Sequence, residues 1–306
     1  MPRIAVVFPG QGAQYAGMGK DLAQNFDEAA LIYEQADEIA GYKLSELCFY
    51  DQEKMLNQTK YAQPALLTTS LAVFEVVKKH GINPVIMAGL SLGEYTALVA
   101  SGAISFKKAL LLVQIRGSLM QEAVPPGKGA MAAVMGLDNN TIEEACKQAV
   151  GIVNIANYNA PGQTVISGES EAVSQVVDIL RKQGGRVKIL AVSVPSHSQL
   201  MYNAAMNLKP HLEEISFKPP AVDVVSNVNA QGNSFTGYKD LLVKQLFSPV
   251  LWEQSIRYMM NKTDYFIEIG PGSTLSGLIK RIDRSRILGH IEDTKTLAKV
   301  LKKVGL

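Results

Sequence analysis

Cysteine is scarce in this chain: among 306 residues only Cys48 and Cys146 occur, far apart and in no ligand-like spacing. That excludes a disulfide framework and a cysteine-based zinc site, and a reducing cytoplasm is the compartment such usage fits. Histidine is nearly as rare, with four residues, and no His/Cys metal cluster can be picked out. An excess of either charge is missing too: 30 basic and 28 acidic side chains leave a formal net charge of +2, too mild to suggest nucleic-acid binding. No apolar run approaches the roughly 20 residues needed to cross a bilayer. After Met1-Pro2-Arg3 comes only Ile4-Ala5-Val6-Val7-Phe8, strand length rather than signal-peptide length. Low-complexity tracts, internal repeats and long linkers are absent as well. What remains is 47% hydrophobic and 19% charged, an ordinary balance for a soluble enzyme and too apolar for disorder. The length supports one large core and a smaller second one.

Glycine sits where a sharp turn needs it. Gly89-Leu90-Ser91-Leu92-Gly93 follows the apolar run Val85-Ile86-Met87-Ala88 and precedes a helical pattern, Glu94 to Ala100, stopped by Gly102. This is the G-x-S-x-G elbow, in which a strand turns abruptly into a helix and leaves the serine strained with its Oγ exposed. The helix N-terminus behind Ser91 offers aligned N–H groups and the positive end of a dipole, which suit an attacking alkoxide and the oxyanion it creates. A Gly-rich loop can match the pattern by chance; the flanking strand and helix favour a nucleophile.

A serine nucleophile needs a base. His197 lies in Val194-Pro195-Ser196-His197-Ser198, an irregular stretch suited to a cleft wall, although a lone histidine is more often structural. His80 ends a helix tail, where a cation complements the dipole, and His211 and His290 lie in polar surroundings that read as surface. Arg116 projects from an apolar stripe, with Leu112, Val113, Leu119 and Met120 three or four residues away on the helix predicted from Phe106 to about Met120. An unpaired guanidinium there would cost several kcal/mol, so a carboxylate partner is expected, either structural or belonging to a substrate. The loop Pro9-Gly10-Gln11-Gly12-Ala13-Gln14 follows the first strand, where an oxyanion-hole loop would sit, but an ordinary strand-to-helix turn reads the same. G-x-G-x-x-G and Walker patterns are not met, so a phosphate cradle is unsupported.

Along the chain, residues 3 to 122 alternate short apolar runs with helical patterns, as in an α/β fold with a mainly parallel sheet. After Val124-Pro125-Pro126-Gly127 the texture changes. Strand patterns at Ala130–Met135, 152–157, 164–167 and 186–190 interleave with helical patterns at 140–148 and 170–183, in the order β-α-β-β-α-β. The expected organisation is a large α/β-hydrolase-like catalytic domain from residues 1–123 and 193–306, with a small ferredoxin-like domain inserted at 124–192.

Over nearly its whole length the chain resembles malonyl-CoA:acyl-carrier-protein transacylases of bacterial fatty-acid synthesis, relatives of the acyltransferase domains of polyketide synthases. The resemblance is carried by Phe8-Pro9-Gly10-Gln11-Gly12-Ala13-Gln14, Gln63-Pro64-Ala65, Gly89-Leu90-Ser91-Leu92-Gly93-Glu94, Gln114-Ile115-Arg116-Gly117, Asn157-Tyr158-Asn159-Ala160-Pro161-Gly162-Gln163, Pro195-Ser196-His197 and Glu268-Ile269-Gly270-Pro271-Gly272. It implies Ser91 as nucleophile, His197 as base, the N–H groups of Gln11 and Leu92 as oxyanion hole, and Arg116 as clamp on a malonyl carboxylate. Gln63, Asn159 and Met120 would line the pocket. The family's histidine is oriented by a backbone carbonyl, for which Leu251, in Ser248-Pro249-Val250-Leu251-Trp252, is the expected source. Leu90 departs from the histidine that many members carry before the nucleophile.

The resemblance further implies ping-pong transfer from malonyl-CoA to the phosphopantetheine thiol of an acyl carrier protein by a cytoplasmic monomer, with malonyl-CoA as substrate and no cofactor. The carrier is usually acidic, so Lys182, Arg186, Lys188, Lys280, Arg281, Arg284 and Arg286 are candidates for a docking rim, although charge runs are usually solvated faces. A stand-alone acyltransferase of a polyketide pathway is the alternative reading. A serine hydrolase or a non-catalytic carrier-binding module is a more distant one.

Overall fold

The computed structural model describes residues 2–192 and 194–306. Strand β1 (Ile4–Phe8) is followed by α1 (Lys20–Asn25), α2 (Asp27–Ala40), α3 (Leu44–Tyr50) and α4 (Thr59–Lys79), then by β2 (Ile86–Gly89), α5 (Leu92–Ala100) and α6 (Phe106–Glu122). Next come β3 (Gly129–Met135), α7 (Asn139–Gln148), β4 (Val153–Ala160), β5 (Gln163–Glu169), α8 (Ser170–Lys182) and β6 (Arg186–Ile189). The last stretch holds α9 (Tyr202–Glu213), β7 (Asp223–Val225), α10 (Tyr238–Gln245), α11 (Trp252–Met260), β8 (Tyr265–Ile269), α12 (Thr274–Ile282), β9 (Ile287–Ile291) and α13 (Thr294–Val304).

Five strands form a parallel sheet in the order β7-β2-β1-β8-β9. Strand β1 explains why its sequence is apolar without alternation: Ile4, Val6 and Phe8 face one core while Ala5 and Val7 face another, formed with Trp252, Ile256, Leu275 and Ile279. A parallel strand covered on both sides has no polar face to show. The region from 3 to 122 contains fewer strands than its apolar runs predict. Between β1 and β2 it holds four helices, because the stretch around Ala65–Val77 is a helix buried nearly all round, whose apolar residues mimic strand runs.

The second sheet is antiparallel, ordered β4-β5-β3-β6, with α7 and α8 packed on one face around Val134, Ile155, Ile166, Val176 and Leu180. This is the βαββαβ arrangement, and the fold as a whole is mixed α/β with a parallel and a separate antiparallel sheet. Strand β4 runs past the expected end at 157 to Ala160, because the two-residue turn Pro161-Gly162 closes a hairpin directly onto Gln163. The outer edge of β4 pairs in turn with Val250: Tyr158 N donates to Val250 O at 2.9 Å, and Val250 N donates to Ala156 O at 2.8 Å. The antiparallel sheet is thereby fastened to the segment just beyond α10. Among the described residues no helix is long and apolar enough to cross a membrane.

Candidate active site

Ser91 stands between β2 and α5, at the carboxyl end of the parallel sheet, where open α/β sheets place their ligands. Its backbone is at φ 51° and ψ −103°, a conformation costing about 1–3 kcal/mol that must be held from outside. Asn227 supplies that hold: its Oδ1 accepts the Ser91 N–H at 2.7 Å and its Nδ2 donates to Gly89 O at 2.8 Å. The flanking glycines are there for close approach, since a Cβ on Gly89 would fall 1.9 Å from the Gly93 backbone and one on Gly93 would fall 2.2 Å from Phe8 O. Leu90 packs against the Trp252 cluster.

His197 lies in the turn between β6 and α9, buried, and also at positive φ (61°). Its Nδ1 is 2.7 Å from Gln245 O and its Nε2 is 2.9 Å from Ser91 Oγ. A carbonyl can only accept, so Nδ1 carries the proton and Nε2 is left as the acceptor facing the serine hydroxyl. The orienting carbonyl therefore belongs to Gln245 and not to Leu251. Leu251 precedes α11, where its carbonyl accepts the N–H and hydroxyl of Ser255, and its own N–H donates to Asn227 O. Burial lowers the imidazole pKa to about 4, with the Arg116 charge adding to the effect and the carbonyls of Gln245 and Ser248 opposing it. The imidazole is thus neutral at rest. We expect the rate of serine acylation to stay flat from pH 8 down to about 5 and to fall only toward pH 4, where the folded enzyme's imidazole takes a proton. A stopped-flow pH profile breaking near the ordinary histidine value of about 6.5 would contradict this.

Arg116 is 1% exposed on α6, beside Ser91. Gly117 allows α6 to cross α4 closely, since a Cβ there would lie 2.8 Å from Lys60 Cα. The guanidinium donates to Gln63 Oε1 (2.7 Å), Gln245 Oε1 (3.0 Å) and Ser91 Oγ (3.2 Å), and its plane lies over the Tyr95 ring at 5.2 Å. No carboxylate pairs with it among the described residues, so the expected structural partner is missing, and its Nε has no acceptor. Gln63 also donates to Met120 Sδ at 3.4 Å, bringing Met120 into the same cluster.

Gln11 is anchored by its side chain, which donates to Thr59 Oγ1 at 3.1 Å, and the loop packs so tightly that a Cβ on Gly10 would fall 2.3 Å from Leu90 O. The N–H groups of Gln11 and Leu92 have no protein acceptor among the described residues. Asn159 lies buried on β4 with its Oδ1 unpartnered, and it is not bonded to Ser91, His197 or Arg116. Asn154, near the start of the same strand, does reach the site, donating to His197 O at 2.9 Å. Asn154, Asn227 and Gln245 are the contributors that motif reading misses, while the buried Glu94 is quoted in the elbow motif without a role. Of the other histidines, His211 is exposed, His80 Nδ1 lies 2.8 Å from Val76 O, and His290 is less exposed than expected, its Nε2 3.3 Å from Glu292.

The basic residues fall in different places. Strand register puts Lys188 opposite Ala133, and Ala133 opposite Val165; Asn154 lies opposite Ser167, and Ser167 opposite Met131. Arg186 and Lys188 therefore share a sheet face with Asn154, the face turned toward His197. Lys182 ends α8, while Lys280 and Arg281 end α12 and, with Arg284, are exposed. Arg286 is engaged at home, pairing with Asp283 and donating to the carbonyls of Thr263 and Asp264.

A neutral histidine on a strained serine, with Gln11 and Leu92 N–H groups that find no acceptor and a buried arginine that finds no counterion among the described residues, equips the site for acyl transfer through a serine ester. The comparisons agree in class: residues 5–302 match the acyl transferase domain family. Within that class the chain belongs to the malonyl CoA-acyl carrier protein transacylases. It is 44% identical to the one from Bacillus subtilis, over 97% of this chain and 96% of the relative. The crystal structure of the Clostridium perfringens transacylase superposes with a TM-score of 0.96 at 41% identity, covering 99% of this chain and 97% of that one. A malonyl-transacylase solved in complex with its type II PKS acyl-carrier protein superposes at 0.95 with 44% identity, covering 98% and 99%.

Proposed function

We propose that this protein transfers the malonyl group of malonyl-CoA to the phosphopantetheine thiol of an acyl carrier protein through a malonyl ester on Ser91. The observation that carries the reading is Arg116: a fully buried guanidinium, 3.2 Å from the nucleophile, whose protein partners are neutral amides and a hydroxyl. In malonyl the free carboxylate is one methylene away from the reacting carbon, so a clamp within reach of Ser91 Oγ suits it. His197 Nε2 takes the Ser91 proton as Oγ bonds to the thioester carbon. The tetrahedral oxyanion is held by the Gln11 and Leu92 N–H groups, and it collapses with cleavage of the C–S bond, the thiol leaving with the proton from the imidazolium. The carrier thiol then repeats the sequence in reverse, giving its proton to His197 as sulfur attacks the ester, and Ser91 Oγ leaves and recovers it. Side chains and backbone suffice, and no cofactor enters any step.

The carrier's acidic surface is met by Arg186 and Lys188, whose sheet face leads to the His197 turn, with Lys182, Lys280, Arg281 and Arg284 as an outer rim. Reversing Arg186 and Lys188 to glutamate should weaken the carrier half-reaction about tenfold or more and flatten its salt dependence, while leaving the rate of acylation of Ser91 within a few-fold. Unchanged carrier kinetics would move the docking surface elsewhere. A monomer working in the cytoplasm for fatty-acid synthesis is the setting these features suit. Intact-protein mass spectrometry after brief exposure to malonyl-CoA tests the whole reading. A malonyl adduct that transfers to a phosphopantetheinylated carrier supports it, whereas steady malonate release without a thiol acceptor points to a hydrolase.

A further inference from the structure

Glu94 is a carboxylate buried under the site, 2% exposed, in the first turn of α5 three residues beyond Ser91. It bonds neither Ser91 Oγ nor His197, so the reaction as written leaves it unused. Nor does it pair directly with Arg116, the buried cation nearby, because Gln245 stands between them. Gln245 Nε2 donates to Glu94 Oε2 at 2.6 Å and to Ser91 O at 3.0 Å, while its Oε1 accepts from Arg116 at 3.0 Å. A backbone carbonyl accepts only, and a guanidinium donates only. One orientation of the Gln245 amide therefore satisfies all three neighbours, and the other sets its NH2 against the guanidinium. Glu94 is itself fixed by the Asn227 N–H at 3.1 Å. Burial pushes its carboxyl up to about 7, yet the oxygen facing Gln245 accepts in either protonation state.

Building on the malonyl-transfer reading above, we propose that Glu94 is a positioning residue for Arg116: it locks the Gln245 amide with its oxygen toward the guanidinium and so sets the preference for carboxylated acyl groups. Without that acceptor the amide nitrogen keeps only the Ser91 carbonyl as partner, so the lock on Gln245 loosens, its hold on Arg116 weakens, and the carboxylate clamp drifts. An acetyl group, which has no carboxylate, does not notice. A merely structural role would instead lower transfer of both groups alike.

The test compares acylation of Ser91 by malonyl-CoA and by acetyl-CoA in Glu94→Ala and Glu94→Gln. Glu94→Ala should lower kcat/KM for malonyl-CoA about tenfold, mainly through KM, with acetyl-CoA within about twofold. Glu94→Gln, whose amide oxygen can still accept from Gln245, should restore the malonyl-to-acetyl ratio. An unchanged ratio in Glu94→Ala, or a Glu94→Gln that falls as far as alanine, overturns the proposal. If Glu94→Ala does not fold, Glu94→Met, which fills the space without offering an acceptor and leaves Gln245 against Arg116, takes its place, and it must show the same fall in ratio or the proposal fails. Wild-type protein that forms no malonyl-serine would instead overturn the function reading, and this proposal with it.

Discussion

Replacing Ser91 with alanine should abolish the malonyl adduct and lower carrier malonylation by at least about 10⁴-fold, the scale on which catalytic nucleophiles are lost in comparable acyl transfer. The structure gives the reason. Ser91 Oγ lies 2.9 Å from His197 Nε2 and 3.2 Å from Arg116, and among the described residues no other hydroxyl bonds either group. Alanine keeps the Asn227 staple, which grips the backbone of residue 91 and not its side chain, so the variant should fold as the parent does. Rapid-quench mass spectrometry with isotopically labelled malonyl-CoA measures both effects. An adduct persisting in the folded Ser91→Ala protein would place the nucleophile elsewhere.

Arg116→Ala should lower kcat/KM for malonyl-CoA by about 10²–10³, since it removes a charge-assisted grip on a carboxylate from a side chain that is itself buried. Acetyl transfer should fall far less, so that the two substrates converge. A guanidinium held by neutral amides and a hydroxyl with no counterion adds little net stability as a charge, but its removal leaves a buried gap and unpaired Gln63 and Gln245 oxygens, so the variant should also melt somewhat lower. The measurement is the ratio of acylation rates from the two thioesters, beside a thermal melt. Equal losses on both substrates would remove the clamp from the mechanism.

The elbow could be read directly from sequence, because its chemistry depends on residue type: a serine that must be exposed and glycines that must be small. Arg116 was legible for a related reason, a charge on an apolar helix stripe that demands an explanation. Gln245 was not legible as the partner of His197, since it acts through a main-chain carbonyl and any residue could supply one. Leu251, six residues further on, carries nothing in its side chain to tell the two apart. Asn227 and Asn154 went unseen because each is an isolated amide whose partners are 136 and 43 residues away. Helix α4 misled for the opposite reason, since burial on nearly all sides erased the periodicity that distinguishes a helix from strand runs.

Ser91 and His197 both occupy left-handed backbone that side chains other than glycine's adopt at a cost of about 1–3 kcal/mol. Glycine would relieve that cost at either place and delete the chemistry in doing so. A laboratory selection for heat resistance alone would thus be drawn toward dead enzymes at these two positions, and one meant to yield a robust catalyst must score turnover in every round.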